Sequence, residues 1–229
     1  MAKVKFSALV SGMRNKLNGS VFSVNAYGAY LRNKTSPTNP RSDYQQAQRQ
    51  MLGSLSASWR GLTQDQRNGW IAATSAFLRT DAFGDQQSLQ GNTLFIALNK
   101  NLLNAGESQI DAAPSPVEIP SIAISNLAVD AGAGTFTFDI DPGTLPDDTA
   151  LFVKATAGIS PGKQYVQNLL RWIGTETPTT GSVDFSSDYT ARFGTPAEGE
   201  RVSIEVYLVS TVTGQAGVPV SATTIVTSA

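Results

Sequence analysis

The sequence predicts an α+β chain: an N-terminal β-arm and a small helical module, an αα-hairpin with a third helix, then an all-β, immunoglobulin-like or fibronectin-III-like sandwich. Three observations carry this. Apolar residues between 42 and 106 recur at helical spacing, those beyond 121 alternate with period two, and Pro114, Pro116 and Pro120 separate the two regimes. With 229 residues, 41% of them hydrophobic, the chain can fill one large core or two modest ones.

Residues 1–41 mix the β-like runs "KVKFSALV", "GSVFSVN" and "GAYLRNK" with glycines at 12, 19 and 28, which fits a basic extended arm or a small β-meander. "TSPTNPRS" follows, where Pro37 and Pro40 favour extended backbone and so predict a stiff connector. Residues 42–106 form the three-helix module. Ser42 and Gln45 read as a capping box ahead of a face carrying Tyr44, Ala47, Met51, Leu52, Leu55 and Trp59, with Gly61 placed to end the helix as a left-handed cap. Thr63 and Gln66 repeat the box before Trp70, Ile71, Thr74, Phe77 and Leu78, so a tight corner joins two helices. A third helical face, Leu94, Phe95, Leu98, Leu102 and Leu103, ends at Gly106.

Residues 107–120 read as a linker. In 121–229 the seven runs "SIAISNLAV", "GTFTFDID", "ALFVKATA", "QNLLRWIG", "GSVDFSS", "RVSIEVYLVS" and "SATTIVTS", broken by glycine- and proline-rich turns, predict the sandwich. Phe136, Phe138, Phe152, Trp172, Val206 and Leu208 are expected in its interior.

The chain has no cysteine and no histidine, which removes disulfides, thiolate nucleophiles, Cys/His zinc sites and Ser-His-Asp relays. No P-loop or dinucleotide glycine pattern occurs, and no catalytic, metal or cofactor-binding residues are assigned. Asp139, Asp141, Asp147 and Asp148 match no calcium-loop spacing and read as turn residues. The short apolar run near the N-terminus is too polar for a signal sequence, and no stretch is long enough to span a membrane.

Net charge is −1, yet residues 1–80 hold 11 cations against 2 acids and the remainder 6 against 16, a division into +9 and −10. One end is thus built to meet something acidic, and Arg14, Arg32, Lys34 and Arg41 are the candidate partner-binding residues. Trp59 and Trp70 stand in phase with their apolar faces and read as a structural brace packed inside the corner. The rival is a helix-turn-helix reader presenting Gln64, Gln66, Arg67 and Asn68, though its helix carries few cations for phosphate.

The succession "GSVFSVNAYGAYLRNK", "SPTNPRS", "QAQRQMLGSLSASWRGLTQDQRNGW" and "QGNTLFIALNKNLL", with its W-R-x-L-T-x-x-Q-R-x-x-W core, resembles a family of virion structural proteins of tailed bacteriophages and prophages. That resemblance covers roughly the first 106 residues. It implies a non-enzymatic, multi-copy component of the capsid or head-to-tail connector, made in the bacterial host cytoplasm. Its partners would be other virion proteins and copies of itself, with no membrane and no cofactor. Two alternatives stay open: a nucleic-acid-binding protein using the basic half, and an adhesive or carbohydrate-binding module using sandwich loops near Tyr165 and Trp172.

Overall fold

The computed structural model describes every residue except 1, 8, 37, 40, 82, 142–144, 177–180 and 229. The chain is α+β, with its sheets antiparallel. The two prolines expected to stiffen the connector, Pro37 and Pro40, lie outside the described residues, as does part of the Asp-rich turn after Asp141.

The N-terminal strands β1 (Ala2–Lys3), β2 (Asn15–Leu17), β3 (Ser20–Asn25) and β4 (Gly28–Asn33) form a four-stranded meander in the order β1-β4-β3-β2. Asn18, at φ 49, supports the two-residue turn between β2 and β3, a conformation asparagine tolerates better than most residues. Gly28, at φ 109, closes the next turn, where Asn25 Oδ1 accepts the Tyr27 N–H at 2.9 Å.

Helix α1 (Asp43–Gly61) starts at Ser42, whose hydroxyl accepts the Gln45 N–H at 3.4 Å. The reciprocal half of this capping box is missing, because Gln45 Oε1 is buried without a partner. Gly61 is not a left-handed cap either: it is the last helical residue, and the chain leaves through Leu62 at φ −62, ψ 149. Only Leu62 and Thr63 separate α1 from α2 (Gln64–Ala73), which opens with a complete capping box between Thr63 and Gln66.

Helix α2 is shorter than its periodicity implied. The hydroxyls of Thr74 and Ser75 donate back to the carbonyls of Ile71 and Ala72, the backbone tightens into a 3-10 turn at Thr74–Ala76, and Phe77 and Leu78 fall outside the helix. A small hairpin of β5 (Arg79–Thr80) and β6 (Gln86–Gln87) follows, which sequence periodicity did not reveal. Helix α3 (Gly91–Asn104) supplies most of the module's core: Leu94, Phe95, Leu98 and Leu102 are buried. Gly106, at φ 86, ends it in a Schellman motif, with Gly106 N–H donating to Leu103 and Glu107 N–H to Leu102. On α1, by contrast, Tyr44, Ala47 and Leu52 are exposed, and Tyr44 instead faces the Arg192 guanidinium at 5.0 Å.

The sandwich packs a three-stranded sheet, β7 (Ala123–Asp130), β8 (Thr135–Asp141) and β11 (Ser182–Asp184), on a four-stranded one, β9 (Thr149–Ala155), β10 (Arg171–Glu176), β12 (Arg201–Ser210) and β13 (Val220–Ile225). The spatial orders are β11-β8-β7 and β10-β9-β12-β13. Phe136, Phe138, Val206 and Leu208 lie in the interior cluster. "GSVDFSS" is strand only to Asp184; from Ser186 it becomes α4 (Ser186–Phe193). That helix closes the sandwich beside the three-residue β11 by stacking Tyr189 on Phe136 at 4.7 Å, with the Tyr189 hydroxyl donating to the Thr156 carbonyl.

Phe152 and Trp172 are not interior residues of the sandwich. They pack edge to face at 4.7 Å on the outer face of the four-stranded sheet, in a cluster with Ala150, Val209, Tyr207 and Ala105. Here the end of α3 covers the sheet, so β9 and β12 are buried on both faces and read as near-continuous apolar runs. The contact is stitched by Asn101 Nδ2 donating to the Gly214 carbonyl (2.8 Å), Thr175 Oγ1 to the Asn104 carbonyl (3.2 Å) and Val117 N–H to Gln215 Oε1 (3.0 Å).

Candidate functional site

Two features carry functional weight, the helical corner and the seam between meander and hairpin. At the corner every fixed position of W-R-x-L-T-x-x-Q-R-x-x-W has a structural task. Trp70 is fully buried, meets Phe95 edge-on at 5.2 Å, and donates its indole N–H to the Asp111 carbonyl at 2.8 Å. Trp59, half-buried, packs on the same Phe95 at 5.5 Å, so the two indoles clasp one α3 ring. Leu62 is buried, Thr63 and Gln66 cap α2, and Arg67 donates to the Arg60 carbonyl at 2.7 Å, satisfying an end of α1. Gln64 donates to Asn68 on the same helix. The side chains that a helix-turn-helix reader would turn toward base edges are therefore engaged within the module.

The segment after α3 is tied to this core. Buried Asn99 accepts the Ile110 N–H at 2.7 Å and donates to the Ile110 and Phe95 carbonyls at 3.2 and 3.0 Å. One amide thus satisfies both backbone groups of a residue in the stretch that composition marked as linker.

At the seam, Lys3 pairs with Asp81 and Lys5 with Asp85 at 2.8 Å, while Lys5 Nζ lies 5.0 Å from the centre of the Phe83 ring. Asp81 is the hub. Its Oδ1 accepts the backbone N–H groups of Phe83 and Asp85, and its Oδ2 accepts Lys3 and Gln87 Nε2. The Lys3 ammonium, reinforced by those amides, holds the Asp81 carboxyl below its ordinary range, and the Asp85 carboxylate raises Lys5. An open groove of about 270 Å³ lies along the seam, lined by Lys3, Tyr27, Tyr30, Arg79, Asp81 and Gln87 among others. Sequence reasoning missed this junction because its charge count divided the chain at residue 80, one position before the first acid of "DAFGDQ".

The four candidate partner-binding residues are all exposed. Arg32 lies on β4, level with Val21 and Lys16 across the ladder, so Lys16 and Arg32 share one face of the meander. Lys34 follows β4 directly, and Arg14 precedes β2. Arg41 stands apart at the start of α1, at φ 52. Among the described residues the ion pairs are Lys3–Asp81, Lys5–Asp85 and Lys154–Glu205. None uses Arg14, Arg32, Lys34 or Arg41, and none joins the basic N-terminal region to the sandwich. At the sandwich edge, Glu176 is raised by burial and by the nearby charges of Asp184 and Asp188.

Elsewhere, Trp172 is committed to the inter-module contact while Tyr165 is exposed, so the two do not form a common aromatic platform. Among the described residues no group of three or more acids could hold a metal ion, and no helix is long and apolar enough to cross a membrane.

No protein-family model and no curated protein matches the chain. Among solved structures it is similar to OgpA from Akkermansia muciniphila. One structure is the catalytically inactive protein in complex with an O-glycopeptide (glycodrosocin) substrate, with 14% identity and a TM-score of 0.29 over 62% of this chain. The other is the wild type, with 14% identity and a TM-score of 0.28 over 63% of this chain. The chain spans 38% of the length of either, and likeness at that level carries no functional argument.

Proposed function

We propose that this chain is a non-enzymatic structural protein of a tailed-bacteriophage virion, present in several copies at the capsid or head-to-tail connector and assembling through its basic meander and helical module. The observation that carries the reading is the unneutralised charge. Arg14, Arg32, Lys34 and Arg41 are exposed, and no described ion pair uses them or joins the basic N-terminal region to the sandwich. Cations left open in this way favour an acidic surface supplied by a neighbour, and the sandwich of another copy, with 11 acids against 5 cations over residues 121–229, has the matching charge. The corner motif that resembles phage virion proteins supports the same reading, since it builds a rigid mount for the meander and the sandwich.

The test is incorporation into particles. Wild-type protein copurifies with intact virions at a fixed ring-like or lattice-like stoichiometry, and added salt loosens it. Replacing Arg14, Arg32, Lys34 and Arg41 with alanine leaves the chain folded but lowers incorporation. Absence from purified particles would refute the proposal, and a salt-dependent DNA or RNA mobility shift lost on the same replacement would move the reading to nucleic acid.

A further inference from the structure

We propose that the meander is exchangeable between copies: the β1–β4 sheet of one chain docks on the β5–β6 hairpin of a neighbour through the same Lys3–Asp81 and Lys5–Asp85 pairs that hold it to its own. This deepens the assembly reading and rests on it only for the presence of neighbouring copies.

Four observations converge. No described residue before Leu55 is fully buried, and no hydrophobic cluster includes a meander residue, so the sheet has no core of its own and shares none. Its specific contacts with the hairpin are polar, two lysine–carboxylate pairs and one cation–π contact in a seam that Tyr27 and Tyr30 also line, and the Lys5–Asp85 pair is more than half exposed. That exposed pair holds weakly, so Lys3–Asp81, whose side chains are 22% and 10% exposed, is the main polar anchor of the sheet. An open groove runs along the seam between residues of the meander and of the hairpin, so water reaches the junction. Finally, the described residues between Asn33 and Asp43 are exposed, and their side-chain-mediated bonds, Gln46 to the Arg41 carbonyl and Arg49 to Asn39, tie only the end of the connector to α1.

Nine connector residues, 34–42, span up to roughly 30 Å when extended, enough to carry the sheet to an adjacent subunit. Because the same contacts form within or between chains, the choice is set by local concentration, which a ring or lattice makes high.

A charge swap tests this in solution with the full chain. One variant carries K3D and K5D, the other D81K and D85K. Each alone places like charges across its own seam and remains monomeric, with the meander undocked. Mixed in equal amounts they have complementary seams only between chains, and most of the protein moves to twice the monomer mass at low salt and returns in high salt. The quadruple variant K3D/K5D/D81K/D85K restores docking within one chain and is monomeric. A mixture that stays monomeric overturns the proposal, as does a quadruple variant whose meander remains as protease-sensitive as in the single-side variants. Neither result bears on copurification with particles, so the two readings fail separately.

Discussion

Gly214→Ala isolates the junction between the helical module and the sandwich. Gly214 has φ 72, and a methyl group there would stand 2.2 Å from the Leu98 carbonyl oxygen and 3.1 Å from Leu102 Cγ. Ordinary contact begins near 3.4 Å, so α3 must retreat from the sheet by about 1 Å. Alanine in the left-handed region costs about 1–2 kcal/mol. Losing the Asn101–Gly214 hydrogen bond removes about 0.5–1.5 kcal/mol. Strain against closely packed Leu98 and Leu102 adds about 1–3 kcal/mol. The expected loss is therefore about 2.5–6.5 kcal/mol, read as a lowered urea midpoint. Intrinsic fluorescence reports it from both sides, since Trp59 and Trp70 sit in the helical core and Trp172 under its edge. Gly162→Ala, where nothing lies within 4 Å, is the control. If both variants unfold within about 0.5 kcal/mol of wild type, the limit for an inconsequential surface change, the junction does not govern stability and the reasoning is wrong.

Trp70→Ala should cost about 3–5 kcal/mol in chemical denaturation, whereas Trp70→Phe, which keeps most of the contact with Phe95 but leaves the Asp111 carbonyl without its donor, should cost about 1–3 kcal/mol. Asn99→Ala orphans both backbone groups of Ile110 and should cost about 2–4 kcal/mol, with amide exchange accelerated at Ile110 beyond the rest of the module. The seam has a pH window. Asp81 is depressed, so its contribution is complete above the ordinary value of 3.8 and fades as pH falls through the lowered one. Lys5 is raised, so its contribution is complete below 10.5 and fades as pH climbs through the elevated value. The amide shifts of Phe83 and Asp85, which donate to Asp81, should follow the acid limb by NMR. In spectrophotometric titration Tyr189 and Tyr207 should ionise late, near pH 12, because burial opposes their charged forms.

Much of the architecture was legible because periodicity reports which face a segment buries. Leu55, Trp70, Leu94 and Phe95 fall on the faces their spacing marks, and the Thr63–Gln66 box announces α2 within one residue. The helix α4 was also legible in principle, since Phe185, Tyr189 and Phe193 recur every four residues, but the short "SVDF" alternation preceding them carried the strand reading too far. Phe152 and Trp172 were misplaced for a different reason. Alternation tells which side of a strand a residue takes, while burial of the second side depends on α3, which arrives from another part of the chain. The Lys3–Asp81 pair spans 78 positions, and no local rule reaches so far. Arg14, Arg32 and Lys34 were visible as an excess of charge; the strand register that puts Lys16 beside Arg32 was not.

The outer side of the four-stranded sheet limits how this protein can be divided. Cutting at the proline-rich stretch would strip α3 from Ala150, Phe152, Trp172 and Val209 and leave an oily plate facing water. The C-terminal half is thus not a cassette that could be lifted out and grafted elsewhere. Whatever it displays, it displays as a passenger soldered to its mount.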